Sequence, residues 1–255
     1  MIFFKKRILN PFIMTKSKDS SLNAFLKVDY KEDNSIWLTN SLTLRKIIGI
    51  LGMAMPLLLF LFLYVDNGLQ HPLESISHYY YTRVSGIFVI ILSLLAFFLI
   101  VYKGKEPVDF YISLFAGFFA LLVVLFPTNN ITKECCDPIA KYSVTFLPVS
   151  HFRMYFHYSA AALFFLCLSY MSFFLFTKSN KPPSKRGIQK TIRNRIYRTC
   201  GVLMLLALLI LFAGSLKIIH PSYFKTFPLT FWMETLAIES FGFAWLIKGE
   251  TLFKD

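Results

Sequence analysis

The chain has 255 residues, of which 56% are hydrophobic and only 16% are charged, with a formal net charge of +13. Because a soluble domain typically carries about 25% charged residues, this composition argues against a soluble globular protein. The basic excess does not indicate nucleic acid binding, since Lys and Arg fall in the segments that flank the apolar blocks of the sequence.

Six apolar blocks predict an all-α fold, an integral membrane bundle of six transmembrane helices. Blocks of about 17 to 25 apolar residues match the roughly 30 Å hydrocarbon thickness of a bilayer. The predicted organisation is a basic cytoplasmic N-terminal arm over 1–45, a transmembrane domain over 46–249 and a cytoplasmic tail over 250–255. The predicted spans cover approximately 47–65, 84–102, 110–126, 155–176, 201–219 and 227–247.

The N-terminal arm contains only short apolar patches, none of which is long enough to cross a bilayer. It either lies on the membrane surface, with its lysines facing anionic lipid, or forms a disordered basic segment. A second basic segment, 178–198, contains Pro182 and Pro183 and resembles a linker. We interpret this second segment mainly as a determinant of topology.

The distribution of basic residues predicts the orientation of the bundle. Of the 27 Lys and Arg residues, 21 fall on the side that holds both termini. The other six fall on the opposite side: Arg83, Lys133, Lys141, Arg153, Lys217 and Lys225. Since cytoplasmic loops carry the excess of Lys and Arg, we expect both termini in the cytoplasm. We expect the membrane to be a bacterial cytoplasmic (inner) membrane.

All five histidines of the chain fall on the predicted outer side of the membrane or in the outer ends of the spans. Glu234 and Glu239 lie in the sixth predicted span, about 10 and 18 Å from its outer end. A charged group near the bilayer centre costs roughly 2.5 to 3.5 kcal/mol, so such residues usually face a cavity or the bundle interior. The candidates for an outward-facing cavity or ligand site are Ser75, Ser77, His78, His157, Glu234 and Glu239.

Each candidate also has a structural explanation. Glu239 can form a hydrogen bond that locks helices together, and His157 can be an ordinary packing residue. The tyrosines that follow His78 are typical of an aromatic belt at the membrane interface. Because His and carboxylate groups bind zinc, His78, His157 and Glu239 are candidate metal ligands. The chain contains no HExxH, GxSxG or CxxC pattern and no phosphate loop, so the sequence assigns no catalytic residue, metal or cofactor.

Several short motifs resemble a family of uncharacterised bacterial multipass membrane proteins and, more distantly, the FRAG/DRAM/Sfk group of six-span proteins. The similarity covers about 71–165, with a looser match from Glu239 to Gly249. The motifs are the segment HPLESIS at 71–77, Gly117, the segment LFPT at 125–128, His157 and the pair Phe164 and Phe165. The resemblance implies a six-span bundle with a polar outer face and implies no activity.

A second resemblance is to the membrane hydrolase superfamily that includes alkaline ceramidases, which place Ser, Asp and His around zinc. Ser77 and His157 fit that pattern. The chain departs from it because its final span holds no His pair and because six spans are visible instead of seven.

These observations leave three functional hypotheses. The first is a non-enzymatic, multi-pass membrane protein, associated with lipid, acting as a scaffold or handling a small solute, with an outward-facing polar cavity. The second is a metal-dependent membrane hydrolase of lipids or lipid-linked substrates. The third is a proton-coupled transporter of small solutes that uses Glu234 and Glu239. The expected partners are membrane lipids and not nucleic acid, and the oligomeric state stays open.

Overall fold

The computed structural model of this chain describes residues 41–104, 106–132, 138–179, 182, 187–225 and 227–253. Over these ranges the chain is helical and has no β-strand. The α-helices are α1 Ser41–Asn67, α2 Ser85–Val101, α3 Pro107–Leu125, α4 His151–Tyr170, α5 Ile188–Ser215, α6 Ser222–Lys225 and α7 Leu229–Lys248. A π-helix extends α4 (Met171–Leu175), and two 3-10 helices occur in loops (Ile76–Tyr81 and Pro138–Tyr142).

Four of these helices are long and apolar enough to cross a membrane, namely α1, α3, α4 with its π-helical extension, and α5. The helix α2 is equally apolar but only 17 residues long. Large apolar side chains face outward, and Leu57, Ile90 and Leu209 each have at least 60% of their surface exposed. The all-helical prediction is confirmed, and these apolar helices are those of a multi-pass membrane protein.

The six long helices pack as a closed ring in chain order. Each of α1 to α4 contacts the next helix, α5 contacts α7, and α7 returns to α1. Apolar side chains fill the interior, with Leu59, Phe88, Phe164, Phe241 and Trp245 almost wholly buried. The ring therefore encloses one apolar core, and polar groups collect at its two ends.

Small residues allow close contacts between helices. A Cβ atom added to Gly49 of α1 would lie 2.7 Å from the carbonyl oxygen of Gly242 in α7. One added to Gly117 of α3 would lie 2.5 Å from the carbonyl oxygen of Ala96 in α2. These backbones touch without side chains between them, which is typical of helix packing in membranes.

The predicted boundaries hold best for the second block and worst for the fifth. The helix α5 begins at Ile188 rather than near residue 201, so the second half of the basic segment 178–198 is helical and not a linker. This part of α5 is amphipathic and buries Arg193, Asn194 and Tyr197 against the bundle. Arg and Lys have good helix propensity, so a helix can continue beyond the hydrocarbon layer. Residues 1–40 of the predicted arm lie outside the described residues, and 41–45 belong to α1.

Candidate functional site

Five of the six candidate residues lie together at one end of the ring. At this end α2, α4 and α7 begin and α3 ends. Hydrogen bonds link all five residues, His78 through its backbone N–H to the Ser75 carbonyl oxygen. We call this group, made of Ser75, Ser77, His78, His157 and Glu234, the Ser–His cluster.

The first 3-10 helix positions the two serines. Ser75 is its N-cap, and the Ser75 hydroxyl accepts a hydrogen bond from the backbone N–H of Ser77 at 3.1 Å. Serine is favoured at this position because the first N–H groups of a helix have no partner within it. The buried Tyr79 hydroxyl accepts a hydrogen bond from the Leu73 N–H at 3.4 Å and so ties the helix to the preceding loop.

Glu234 joins α7 to the same 3-10 helix. Its Oε2 accepts a hydrogen bond from the backbone N–H of Ile76 at 2.7 Å, and the Ser75 hydroxyl lies 3.0 and 2.9 Å from its two oxygens. A backbone bond from Phe231 to the carbonyl oxygen of Glu74, at 2.9 Å, adds a second link. Hydrogen bonds to a carboxylate are stronger than neutral ones, so these donors stabilise Glu234 in a partly buried position.

His157 joins α4 to both the 3-10 helix and the end of α3. Its Nδ1 lies 2.8 Å from the carbonyl oxygen of Phe126, and its Nε2 lies 2.9 Å from the Ser77 hydroxyl oxygen. A carbonyl oxygen can only accept, so Nδ1 carries the proton and Nε2 of the neutral ring accepts from Ser77. Both side chains are buried, with 3% of His157 and 7% of Ser77 exposed.

His78 is the member of the cluster with an unsatisfied atom. Among the residues that the structure describes, its buried Nδ1 has no hydrogen-bond partner. Burial and, to a smaller extent, the nearby His157 lower the pKa of His78 to about 4. The ring is therefore neutral at physiological pH.

The loops around the cluster are held by further polar contacts. The Arg153 guanidinium donates to the carbonyl oxygens of Pro127 at 3.1 Å and Pro148 at 2.9 Å. The Tyr81 hydroxyl donates to the carbonyl oxygen of Thr128. The loops that leave α3 and enter α4 are thus fixed against each other and against the 3-10 helix.

The pair Ser77 and His157 has the geometry of a nucleophile and its general base, with the Phe126 carbonyl oxygen orienting the ring. Acyl transfer also needs N–H groups that stabilise an oxyanion. The three N–H groups of the turn nearest to Ser77 already have partners: Ile76 donates to Glu234, Ser77 to the Ser75 hydroxyl, and His78 to the Ser75 carbonyl oxygen at 3.1 Å. The donors around Ser75, Ser77 and Glu234 are therefore already engaged within the protein, and the His78 Nδ1 atom is the unsatisfied group of the cluster among the described residues.

Glu239, the sixth candidate, lies apart from the cluster. It lines a groove of about 480 Å³ with Arg195, Thr199 and Cys200, on the contact between α5 and α7. Among the described residues, no group of three or more His, Cys, Asp or Glu side chains is placed to hold a metal ion.

Sequence reasoning missed a second polar site at the opposite end of the ring. A cavity of about 1080 Å³ lies there among α1, α3, α5, α7 and the end of α4. We call it the basic cavity, since five cations line it: Arg45, Lys178, Lys190, Arg193 and Lys248. The signal in the sequence was weak, because these residues are far apart and each was interpreted as a determinant of topology.

Comparisons of this chain with models of known protein families, with curated proteins and with solved structures found no match.

Proposed function

We propose that this chain is a six-span integral membrane protein with both termini in the cytoplasm and the Ser–His cluster at the outer end. The helices α2 and α7 are the two that complete this count. At 1.5 Å per residue their 17 and 20 residues reach about 26 and 30 Å. These lengths approach the bilayer thickness, and a short helix is accommodated by local thinning. The closed ring supports the proposal, because α2 and α7 sit between helices long enough to span.

The orientation can be tested with cysteine labelling in intact cells. The native Cys135 and Cys136 belong to the segment between α3 and α4. We expect a membrane-impermeant maleimide to label them from outside. A Pro182→Cys variant in a background without these two cysteines should react only after the membrane is permeabilised. Labelling of this variant in intact cells would place residue 182 outside the cell and contradict the proposed orientation.

We infer that the protein is non-enzymatic and associated with membrane lipids, and that the Ser–His cluster fastens the outer end of its ring. The observation that carries this inference is that the hydrogen-bond donors around Ser77 and Glu234 already have acceptors within the protein. Each donor there bonds to another part of the protein, so the cluster links α3, α4 and α7 instead of presenting groups to a substrate.

The test compares variants of the cluster with the wild type. Replacing Ser77 by Ala should reduce the thermal stability of the purified protein in detergent. The growth of cells that depend on this protein should follow the amount of folded protein in the membrane. A Ser77→Ala variant that folds to wild-type levels but abolishes the phenotype would contradict a fastening role.

A second candidate function is a membrane hydrolase with Ser77 as nucleophile. The observation that favours it is the 2.9 Å contact between Ser77 and His157 together with the oriented His157 ring. A fluorophosphonate probe that labels the wild-type protein but not Ser77→Ala would establish this alternative. If both proteins remain unlabelled in native membranes, a reactive serine is ruled out. Metal analysis of the purified protein tests the metal-dependent form.

A further inference from the structure

The basic cavity has the chemistry of a phosphate site. We propose that it binds the phosphate group of a phosphoester, supplied either by the headgroup of an anionic phospholipid or by a soluble organic phosphate. This proposal deepens the lipid association inferred above, because it names the ligand class and the residues. It concerns the opposite end of the ring from the Ser–His cluster.

The charges that line the cavity favour an anion. Its five cations face three acids, namely Glu106, Asp109 and Glu250. Glu106 and Asp109 form a reciprocal capping box at the start of α3, which uses their carboxylates to bind backbone N–H groups. Lys178 lies 2.6 Å from Glu106 and 3.5 Å from Asp109. Lys178 offsets one of these two negative charges, and the five cations and three acids together leave the lining with a formal net charge of +2.

Arg45 has a buried N–H donor, at Nε, that suits an anionic ligand. Its Nη1 donates to the carbonyl oxygen of Lys248 at 3.4 Å, and its guanidinium lies over the Tyr102 ring at 5.7 Å. Among the described residues, its buried Nε has no hydrogen-bond partner. Burying an N–H group without a partner costs about 1 to 3 kcal/mol. A phosphate oxygen would satisfy it, because the guanidinium fork matches phosphate geometry.

The helix α5 adds two cations from one face. Arg193, of which 7% is exposed, donates to the carbonyl oxygen of Phe253 at 2.9 Å. Lys190, one turn earlier, donates to the carbonyl oxygen of Phe176 at 3.2 Å. Carbonyl oxygens are neutral acceptors, so these contacts orient the two cationic side chains at the wall of the cavity. A phosphoester with one or two negative charges would therefore gain attraction from both.

The shape and position of the cavity suit an amphiphile. Aromatic rings pack beside the cations, since the Lys248 Nζ lies 5.2 Å from the centre of the Phe176 ring and the Lys190 Nζ lies 5.9 Å from the centre of the Tyr197 ring. The cavity also lies where helices end, which is the level of lipid headgroups in a six-span bundle. Basic pockets between membrane helices on the cytoplasmic side bind anionic lipid headgroups. At about 1080 Å³, the space exceeds what inorganic phosphate alone would fill.

The test titrates the full-length protein in phosphatidylcholine nanodiscs and follows its thermal midpoint. One arm adds phosphatidic acid with short acyl chains, and the other adds glycerol 3-phosphate. Each is compared with uncharged diacylglycerol. The variants are Arg45→Gln, Lys190→Gln and, as a matched control, Arg198→Gln, which removes the same charge from an exposed position on α5 outside the cavity.

We expect a phosphate-bearing ligand to raise the thermal midpoint of the wild type and of Arg198→Gln. The ligand concentration needed should rise about tenfold or more in the cavity variants, since each lost charged contact is worth about 1.4 kcal/mol or more. Lys190→Gln keeps the test valid if Arg45→Gln does not fold. Binding of phosphatidic acid alone identifies a lipid source, and similar binding of glycerol 3-phosphate identifies a soluble one.

Two results would overturn the proposal. One is the absence of any effect of both phosphate compounds beyond that of diacylglycerol. The other is an equal loss of binding in Lys190→Gln and Arg198→Gln, which would indicate general electrostatic attraction. Neither result affects the cysteine labelling, so failure of the phosphate site and failure of the six-span topology can be told apart.

Discussion

The Glu234 carboxylate accepts a hydrogen bond from the backbone N–H of Ile76 at 2.7 Å, across a separation of 158 residues. An acid inside α7 thus completes the first turn of a 3-10 helix that precedes α2. The contact gives this carboxylate a defined structural partner. It explains why a short polar segment keeps its geometry at the end of an otherwise apolar ring.

Replacing Glu234 by Ala should destabilise the protein by about 1 to 3 kcal/mol, because the Ile76 N–H and the Ser75 hydroxyl lose a charged acceptor. Equilibrium unfolding in mixed detergent micelles measures this change. Glu239→Ala is the matched control, since Glu239 belongs to the same helix but lines the groove instead of the cluster. Equal destabilisation by both variants would contradict the network described for Glu234.

Ser77 and His157 should be energetically coupled. In a double-mutant cycle with Ser77→Ala and His157→Gln, we expect a coupling free energy of about 1 kcal/mol, the usual net value of a hydrogen bond. The exposed Ser159 bonds only to the Tyr155 carbonyl oxygen of its own helix among the contacts described. Ser159→Ala should therefore be additive with His157→Gln. Additivity of the Ser77 pair would show that the 2.9 Å contact does not persist in solution.

His78 should make the folded state sensitive to acid. Burial lowers its pKa from 6.5 to about 4, so the unfolded chain binds a proton more readily than the folded protein. The free energy of unfolding therefore has its full value above pH 6.5 and decreases as the pH falls towards 4. Thermal midpoints measured across this window should decline more steeply for the wild type than for His78→Gln. Parallel curves would exclude His78 as the source of the slope.

The contact between α1 and α7 should not tolerate a larger residue. A Cβ atom at Gly49 would lie 2.7 Å from both the Gly242 carbonyl oxygen and the Leu246 Cγ atom. Gly49→Ala should therefore separate the helices and lower stability by about 1 to 3 kcal/mol. Gly86 has open space around its Cβ position, so Gly86→Ala should be neutral or stabilising by up to about 1 kcal/mol. Thermal unfolding of both variants in one detergent compares the two directly.

Much of the local structure was predictable because its causes are local. The apolar blocks gave helices whose ends differ from prediction by only one to six residues, except at the start of α5. The start of α5 was wrongly predicted because its basic first part has the composition of a loop, while one face of this part is buried against neighbouring helices of the bundle. Local charge does not reveal which side of a segment meets a partner.

The sequence also named the residues of the Ser–His cluster but did not decide which glutamate joins them. Glu234 and Glu239 are five residues apart, so they point about 140° apart around the helix axis. Only the rotation of α7 within the ring determines that Glu234 meets Ser75 and Ile76 while Glu239 meets the groove beside α5.

The sequence by itself determined that this chain forms apolar helices suited to a membrane, because the length of an apolar block must match the hydrocarbon thickness of a bilayer. The tertiary structure alone decided which polar groups meet. Closing the ring brings Ser77 to His157 at one end and Arg45 to the cations of α5 and α7 at the other. Such contacts depend on the rotation and packing of whole helices, and no local pattern encodes them.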